Sequence, residues 1–197
     1  MSAYTAIGDT SETLRKLLEN DPWTGISPKP TITLKSPKDI KTESGNPNMV
    51  SLFLYQITEN IFLKNEEMQR LDDQRFLQPP LFLELFYLAT TYSNDPAQEK
   101  YILGKVMQIF FNNPVLAGTV LQGGLAGADE EIKIIFNPLA LDDLTKIWSA
   151  FQDVPYKLSV SYLATPVRID SLLEVSTQRV VSREMEHAYL THKGEKK

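Results

Sequence analysis

The sequence of 197 residues contains no cysteine and only two histidines. The absence of cysteine excludes disulfide bridges, zinc–thiolate sites and thiol nucleophiles. The two histidines, His187 and His192, lie near the C-terminal end of the sequence, where a solvated histidine is far more common than a metal ligand. We therefore expect no metal, no cofactor and no catalytic residue in this chain.

Positive charge and long apolar runs are also scarce. The chain has 20 Lys and Arg against 25 Asp and Glu, and its net charge of −5 argues against a nucleic-acid-binding protein, which needs clustered cations. No apolar run approaches the ~20 residues of a membrane span. The first residues, MSAYTAIGDT, lack the basic and apolar regions of a secretory signal. We expect a protein made in the cytoplasm that binds neither membranes nor nucleic acid.

The residues that are present are typical of a globular domain, with 42% apolar and 23% charged side chains. Two segments, 50–58 and 81–92, are apolar at nearly every position and predict strands that are covered on both faces. Alternation of apolar and polar residues predicts a short edge strand at 31–34, a strand at 132–137, and a strand at 156–162 with one face that is wet or meets a partner.

Three amphipathic segments predict helices. The first covers residues 4–19, and the second begins at Asn94-Asp95-Pro96 and ends at Asn112-Asn113-Pro114. The third covers residues 141–151. The expected buried stripe of the second helix is Ile102, Val106, Ile109 and Phe110, and that of the third is Leu141, Leu144, Trp148 and Phe151.

Charged and glycine-rich motifs offer little chemistry. Adjacent carboxylate pairs diverge in direction on a helix, so we interpret them as solvated surface. The cluster of Gly123, Gly124 and Gly127 precedes acidic residues and a strand, which favours a turn over a phosphate-binding loop. Glu84 lies within an apolar strand, where an unpaired charge is costly. We expect Lys105, Arg75 or a residue of a neighbouring subunit to pair with it.

Five segments of the chain together resemble one protein family. In order they are VSLFLYQITEN, PPLFLELFYLATTYS, YILGKVMQIFFNNPVL, FNPLALDDLTKIWSAF and YKLSVSYLATPVRIDS. This order is similar to that in the N-terminal domain of the cap, or tail-terminator, protein of extracellular contractile injection systems. These systems are phage-tail-like particles of the antifeeding-prophage and virulence-cassette type. The resemblance extends over about residues 4–171.

The resemblance implies both a fold and a role. The implied fold is α/β (α+β), a small, mixed, mainly antiparallel sheet flanked by helices, and the α-β-β-α-β-α-β order predicted above is compatible with it. The implied role is a structural cap: a homohexameric ring that ends the inner tube and the contractile sheath without covalent chemistry. The implied partners are other copies of the chain and the sheath and tube proteins, in a particle that can be released from the cell.

Three weakly periodic segments, 23–48, 64–78 and 166–190, are the expected arms and contact surfaces. We divide the chain into a terminator-like domain at 1–170 and an arm with a disordered tail at 171–197. The candidate contacts with subunits or partners are Trp23, Ile32, Leu34, Met68, Phe76, Glu84, Val167, Ile169, Val175 and Val180. Two other functions stay open, a monomeric adaptor or assembly chaperone for sheath and tube subunits, and a stand-alone enzyme.

Ala140 departs from the family pattern, in which a hydroxyl residue precedes the third helix. Its side chain cannot accept a hydrogen bond from the free backbone N–H groups of the first turn, although Asp143 of the expected capping box is present. We therefore expect this helix to begin at Leu141 without a side-chain cap.

Overall fold

The computed structural model describes residues 4–40, 46–64, 66–72, 75–127 and 130–176, without the side chain of Gln69. The helices of these residues are α1 (Ala6–Asn20), α2 (Pro96–Asn112) and α3 (Leu141–Ser149). The strands are β1 (Thr31–Thr33), β2 (Met49–Glu59), β3 (Gln69–Arg70), β4 (Arg75–Leu77), β5 (Leu81–Tyr92), β6 (Val115–Ala117), β7 (Glu131–Asn137), β8 (Ser159–Ile169) and β9 (Glu174–Ser176).

The main sheet has six strands in the order β1-β2-β5-β8-β7-β6. β1 pairs with β2 in parallel, and every other pair is antiparallel. The long strands β2, β5 and β8 lie in the middle of the sheet, while the edge strands β1 and β6 have three residues each. The sequence-based prediction of a mixed, mainly antiparallel sheet flanked by helices is confirmed.

Helices cover both faces of the central strands. On one face, Tyr87 of β5 hydrogen-bonds Ser11 of α1 between the two hydroxyl oxygens at 2.7 Å, and Tyr162 of β8 packs edge-on against Phe110 of α2. On the other face, Leu88 packs with Trp148 of α3 and with Phe151. Since side chains alternate along a strand, β5 must be apolar at both sets of positions, as its sequence predicted.

Helix α2 begins and ends where its sequence signals lie. Asp95 is the N-cap residue, and its carboxylate accepts a hydrogen bond from the backbone N–H of Ala97 at 3.0 Å. At the other end, the side-chain amide of Asn113 donates to the carbonyl oxygen of Ile109 at 2.8 Å, and Pro114 follows. The predicted stripe of Ile102, Val106, Ile109 and Phe110 is buried.

The last long strand begins later than predicted, and the serines expected to be wet or to meet a partner are buried within the chain. β8 covers Ser159–Ile169; Tyr156 and Leu158 lie outside it and are each 50% exposed, whereas Ser161 is buried. Ser161 is satisfied because its hydroxyl lies 2.9 Å from the Tyr55 hydroxyl and accepts from the side-chain amide of Asn137 at 3.1 Å. A buried serine with two partners cannot be distinguished from a solvated one by alternation alone.

The third helix also differs from the prediction at two positions. It ends at Ser149, and Leu141, expected to point inward, is 69% exposed in its first turn. Trp148 and Phe151 are buried as expected. Ala140 is the N-cap residue and makes no side-chain cap, which matches the interpretation of the sequence.

A second, small sheet joins two of the predicted arms to each other. Its order is β3-β4-β9, so the 64–78 segment supplies two strands and the residues after β8 supply the third. Phe76 lies opposite Val175 in this sheet, and the guanidinium of Arg75 lies 3.3 Å from the carboxylate of Glu174. These strands have only two or three residues, too few for a recognisable sequence pattern.

Candidate interaction surfaces

The glycine-rich loop is a packing element and not a ligand site. The Asp9 carboxylate of α1 accepts a hydrogen bond from the backbone N–H of Gly124 at 2.9 Å, and the Thr13 hydroxyl accepts one from Gln122 at 3.0 Å. A Cβ atom on Gly123 would lie 2.1 Å from Asp9 Oδ1, and the φ angle of Gly123 is +60°. Glycine is required here because the loop lies against α1.

Glu84 has a different partner from those predicted. It is half-buried and accepts a hydrogen bond from the hydroxyl of Thr58, its cross-strand neighbour, at 3.2 Å. Lys105 instead pairs with Asp21 at 3.0 Å, and the expected ion pair with Lys105 is therefore wrong. Arg75 is likewise bound to Asp72 and Glu174. Glu84 lies where the pairing register between β5 and β8 shifts. Its side chain is in partial contact with solvent, which explains why the strand tolerates a negative charge at this position.

The candidate contact residues fall into three groups. Trp23, Ile32 and Val167 are buried in the core, so their side chains offer no surface to a partner and we withdraw them as contacts. Leu34, Phe76, Glu84, Ile169 and Val175 are half-buried, and Met68 is exposed. Val180 lies outside the described residues, as do His187 and His192. The half-buried and exposed residues remain predicted contacts.

Sequence reasoning missed a large apolar groove between α2 and β7, which we call the α2 groove. Its volume is about 880 Å³, and its lining consists of Gly104, Met107, Gln108, Phe110, Phe111, Pro114, Ile134, Phe136 and Tyr162. Phe111 is 84% exposed and Phe136 49% exposed. Contiguous exposed apolar surface of this kind is typical of interaction sites.

A buried tyrosine contributes a polar group to the lining of the α2 groove. Tyr162 is only 5% exposed, and its ring packs against Phe110 and Phe136. Its hydroxyl has no hydrogen-bond partner among the described residues, although Tyr87, the comparable buried phenol, bonds Ser11. Burial raises the pKa of Tyr162 to about 12, so the phenol stays protonated and can donate at neutral pH.

A second groove lies on the opposite face of the sheet, between β2 and α3. Its volume is about 820 Å³, and its lining includes Phe53, Tyr55, Leu139, Ile147 and Phe151 together with Lys38, Asp143 and Lys146. Its rim is therefore charged, whereas the rim of the α2 groove is almost purely apolar.

The edges of the main sheet are only partly covered. Ile134 donates its backbone N–H to Pro114 at 2.8 Å, on the side of β7 away from β8. Backbone N–H and C=O groups alternate between the two sides of a strand, so those of Phe136 point to the same side as those of Ile134. The pairing of β6 with β7 ends at Lys133 and does not reach Phe136. On the other edge, β1 pairs only with residues 49–51 of β2. Each edge thus offers unpaired backbone to another strand among the described residues.

The described residues contain no cluster of metal-ligating side chains and no helix that could cross a membrane. No three Asp, Glu or His side chains in this part of the chain come together in the way that a metal ion requires. Every helix of residues 4–176, as far as they are described, is too short or too polar to cross a lipid bilayer.

Comparison with known proteins decides the family. Residues 9–183 match the model of the Pvc16 N-terminal domain. The chain belongs to this family. No curated protein sequence matches the chain significantly. The sequence-based resemblance to the terminator of contractile injection systems is confirmed, over nearly the residues from which it was inferred.

Two solved structures share the fold of this Pvc16 N-terminal domain. The first is the sheath/tube terminator of PVC, an extracellular contractile injection system, in the extended state, with a TM-score of 0.61 and 23% identity over 96% of this chain. The second is the tube-terminating cap of the anti-feeding prophage, with a TM-score of 0.59 and 19% identity over 95%. This chain covers 66% and 62% of their lengths.

Proposed function

We propose that this Pvc16-family chain is a structural terminator, which forms a ring at the end of the inner tube and contractile sheath of a phage-tail-like injection particle. One observation carries the proposal: the family match over residues 9–183 coincides with the fold of two structures named as a sheath/tube terminator and a tube-terminating cap. Those names also support a role without catalysis. The number six for the ring comes from the family resemblance.

The mechanism follows from symmetry. Tube and sheath grow by adding identical subunits head to tail, a heterologous contact that continues until something blocks it. A ring with the rotational symmetry of the last layer can bind that layer with one face. Growth stops because the opposite face does not repeat the binding site that the next layer needs. The required property is therefore shape, and no reacting group is involved.

Such a ring needs contact surfaces on every subunit, and specific interfaces bury about 1,000 Å² or more. The half-covered edges of β2 and β7 suit strand addition from a neighbour. Exposed apolar side chains at the end of the sheet where β5 begins offer a second surface, formed by Ile57, Ile61, Phe62, Leu81, Leu172 and Leu173. We assign this end to contacts with copies of the chain or with the filament.

Electron microscopy of purified particles that carry a labelled copy of the chain tests the assignment. We expect the label at the end opposite the baseplate, at one ring per particle. Label along the whole sheath, or none in finished particles, would contradict it. The molecular mass in solution is a second test: a stable ring supports the terminator, whereas a chain that is monomeric in solution and absent from particles favours the adaptor or chaperone.

The C-terminal segment needs a deletion that respects the small sheet. Removal of residues 171–197 also removes β9, which pairs with β4, whereas removal of residues 177–197 leaves this pair intact. We expect both deletions to leave the main sheet folded and to weaken ring or sheath association. Normal capping of particles by both shortened chains would refute the arm proposal.

A further inference from the structure

The outer face of α2 exposes three large apolar side chains beside a few polar residues. Tyr101 is 65% exposed, Met107 36% and Phe111 84%, and these residues lie on one side together with Gly104 and Gln108. The inner stripe of the same helix is apolar and buried. Large apolar side chains grouped on an exposed helix face are typical of a surface that a partner covers. The outer face of α2 is therefore a candidate contact surface.

Gly104 supports the same conclusion independently. It lies in the interior of α2, where glycine destabilises a helix relative to alanine. No atom lies within 4 Å of the position that a Cβ would take, and the backbone of Gly104 is ordinary helix, so the fold of the single chain does not require glycine. The residue lines the α2 groove, where a missing side chain leaves room for an incoming group.

A second feature presents apolar side chains on a hydrogen-bonded turn. The turn that follows β2 exposes Ile61 by 70% and Phe62 by 86%. The side chain of Asn60, which is 92% buried, holds this turn. Its carbonyl oxygen accepts hydrogen bonds from the backbone N–H of Phe62 at 3.0 Å and of Leu63 at 3.3 Å, and its amide donates to the Thr165 hydroxyl at 3.3 Å. We call this feature the Phe62 turn.

The charges beside the two features are complementary. Lys100 begins the outer stripe of α2, and Glu66 and Glu67 follow the Phe62 turn; all three are exposed and make no ion pair with another described residue. Glu66 and Glu67 follow Phe62 by four and five positions in the sequence. Along α2, Lys100 lies about 16 Å from Phe111. The acidic residues beside the turn are thus opposite in sign to Lys100 and to the positive end of α2.

One copy cannot bring these features together within itself. The side chain of Asn60 bonds Thr165, which lies opposite Lys133 in the β7–β8 pairing. The neighbours of Lys133 along β7, Ile132 and Ile134, are buried in the core that α1 and α2 cover. Because side chains alternate along a strand, Lys133 and Thr165 lie on the other face of the sheet. The Phe62 turn is thus held from the face of the sheet opposite to the α2 groove. A contact between them joins two copies head to tail, and repetition of such a contact closes a ring when the rotation allows it.

We propose that the Phe62 turn of one copy inserts into the α2 groove of the next, with Glu66 and Glu67 facing Lys100. This inference rests on the proposed ring and names the contact that builds it. Phe62 fills the space beside Phe111 and Phe136, and the free hydroxyl of Tyr162 donates to a backbone carbonyl of the turn. These aromatic residues have the character of the buried anchors that dominate protein interfaces.

Cysteine cross-linking tests the contact cleanly, because the native chain has no cysteine. One copy carries Ile61→Cys, which keeps the Phe62 anchor, a second copy of different tagged size carries Met107→Cys, and the two are mixed and oxidised. Both positions are solvent-exposed, and circular dichroism confirms the fold of each variant. The control pair replaces Met107→Cys by Val120→Cys, an exposed position elsewhere on the surface. We expect the mixed disulfide to form at least tenfold faster than in the control; equal rates would overturn the proposal.

Two further variants ask whether groove and charge determine the rate. Adding Gly104→Leu to the Met107→Cys copy should reduce the cross-linking rate to that of the control pair, because leucine fills the groove. Adding Glu66→Lys and Glu67→Lys to the Ile61→Cys copy should slow cross-linking, and Lys100→Glu in the other copy should restore it. An unchanged rate with Gly104→Leu, or no recovery with the charge exchange, would contradict the assigned contact.

The contact and the proposed function fail in different ways. Cross-linking reports the pairing of copies, and particle length reports termination. If the copies cross-link as expected but the chain does not change particle length, the contact is supported and the terminator role is refuted. If the chain limits particle length but the disulfide does not form, only the proposed contact is refuted.

Discussion

Two alanine substitutions at glycines should change the stability of the chain in opposite directions. At both Gly104 and Gly123 the substitution replaces one Cα hydrogen by a methyl group, but the surroundings of the two positions differ. A Cβ at Gly104 meets no atom within 4 Å and sits in an α-helix, whereas a Cβ at Gly123 lies 2.1 Å from Asp9 Oδ1 at a φ of +60°. The comparison separates helix propensity and chain entropy from steric fit.

The magnitudes follow from these environments. Gly104→Ala should raise the free energy of unfolding by about 0.5–1 kcal/mol, since alanine is the better helix former and restricts the unfolded chain. Gly123→Ala should lower it by about 2–4 kcal/mol. The left-handed backbone costs about 1–2 kcal/mol with a Cβ. Displacement of Asp9 also weakens the charge-assisted hydrogen bond from the Gly124 N–H, worth about 1.5–3 kcal/mol.

Urea denaturation monitored by circular dichroism measures both changes, with the slope of each transition as a check that the denatured state is unchanged. Asp9→Ala in the Gly123→Ala background is the matched control, because it removes the clashing carboxylate and should recover part of the loss. A Gly104→Ala variant that is less stable than the native chain, or a Gly123→Ala variant of native stability, would refute the reasoning.

Three further predictions concern the cap of α3, the Phe62 turn and alkaline pH. Ala140→Ser should stabilise the chain by about 1 kcal/mol by capping α3, and a melting temperature that is unchanged or lower would contradict the helix boundary. Asn60→Ala should destabilise it by about 1–2 kcal/mol, with Asn60→Asp between the two because it keeps the acceptor oxygen; equal stability of all three chains in urea would refute the turn support. Burial raises the pKa of Tyr162 to about 12 from about 10 when unfolded. The stability due to its protonated form is therefore complete below about pH 10 and is lost as the pH rises towards 12, so Tyr162→Phe should lessen the fall of the urea midpoint over this range.

The elements that the sequence predicted well are those whose local and tertiary signals agree. β5 is apolar at both alternating sets of positions because helices cover both of its faces, and its predicted and observed bounds coincide. Helix α2 has Asp95 and Pro96 at its start and Asn113 and Pro114 at its end. In both cases a pattern within one segment was sufficient.

The misplaced strand β8 shows where such patterns fail. The weakly periodic segment 166–190 predicts no strand at its start, but Pro166 lies inside β8 where the register with β5 shifts, a position that tolerates proline. The serines of β8 looked solvated, yet Ser159 and Ser161 are buried and bonded to Thr90, Tyr55 and Asn137. Partners from three other segments cannot be read from one strand.

The candidate surfaces were the least predictable part. Trp23 was a proposed contact, but it packs in the core, and its indole N–H donates to the carbonyl oxygen of Leu18 at 2.8 Å. Phe62 and Phe111 were not proposed, although they are among the most exposed aromatic side chains of the described residues. One signal was available: Tyr101, Met107 and Phe111 are apolar on the side of α2 opposite its buried stripe.

The length distribution of the particles tests the central claim most directly. Filaments assembled in cells without this chain, with it, and with the Phe62→Asp variant are measured by electron microscopy. The account predicts long filaments of variable length without the chain, a narrow length distribution with the native chain, and loss of length control with Phe62→Asp. Identical length distributions with and without the native chain would contradict the claim that it acts by blocking the filament end.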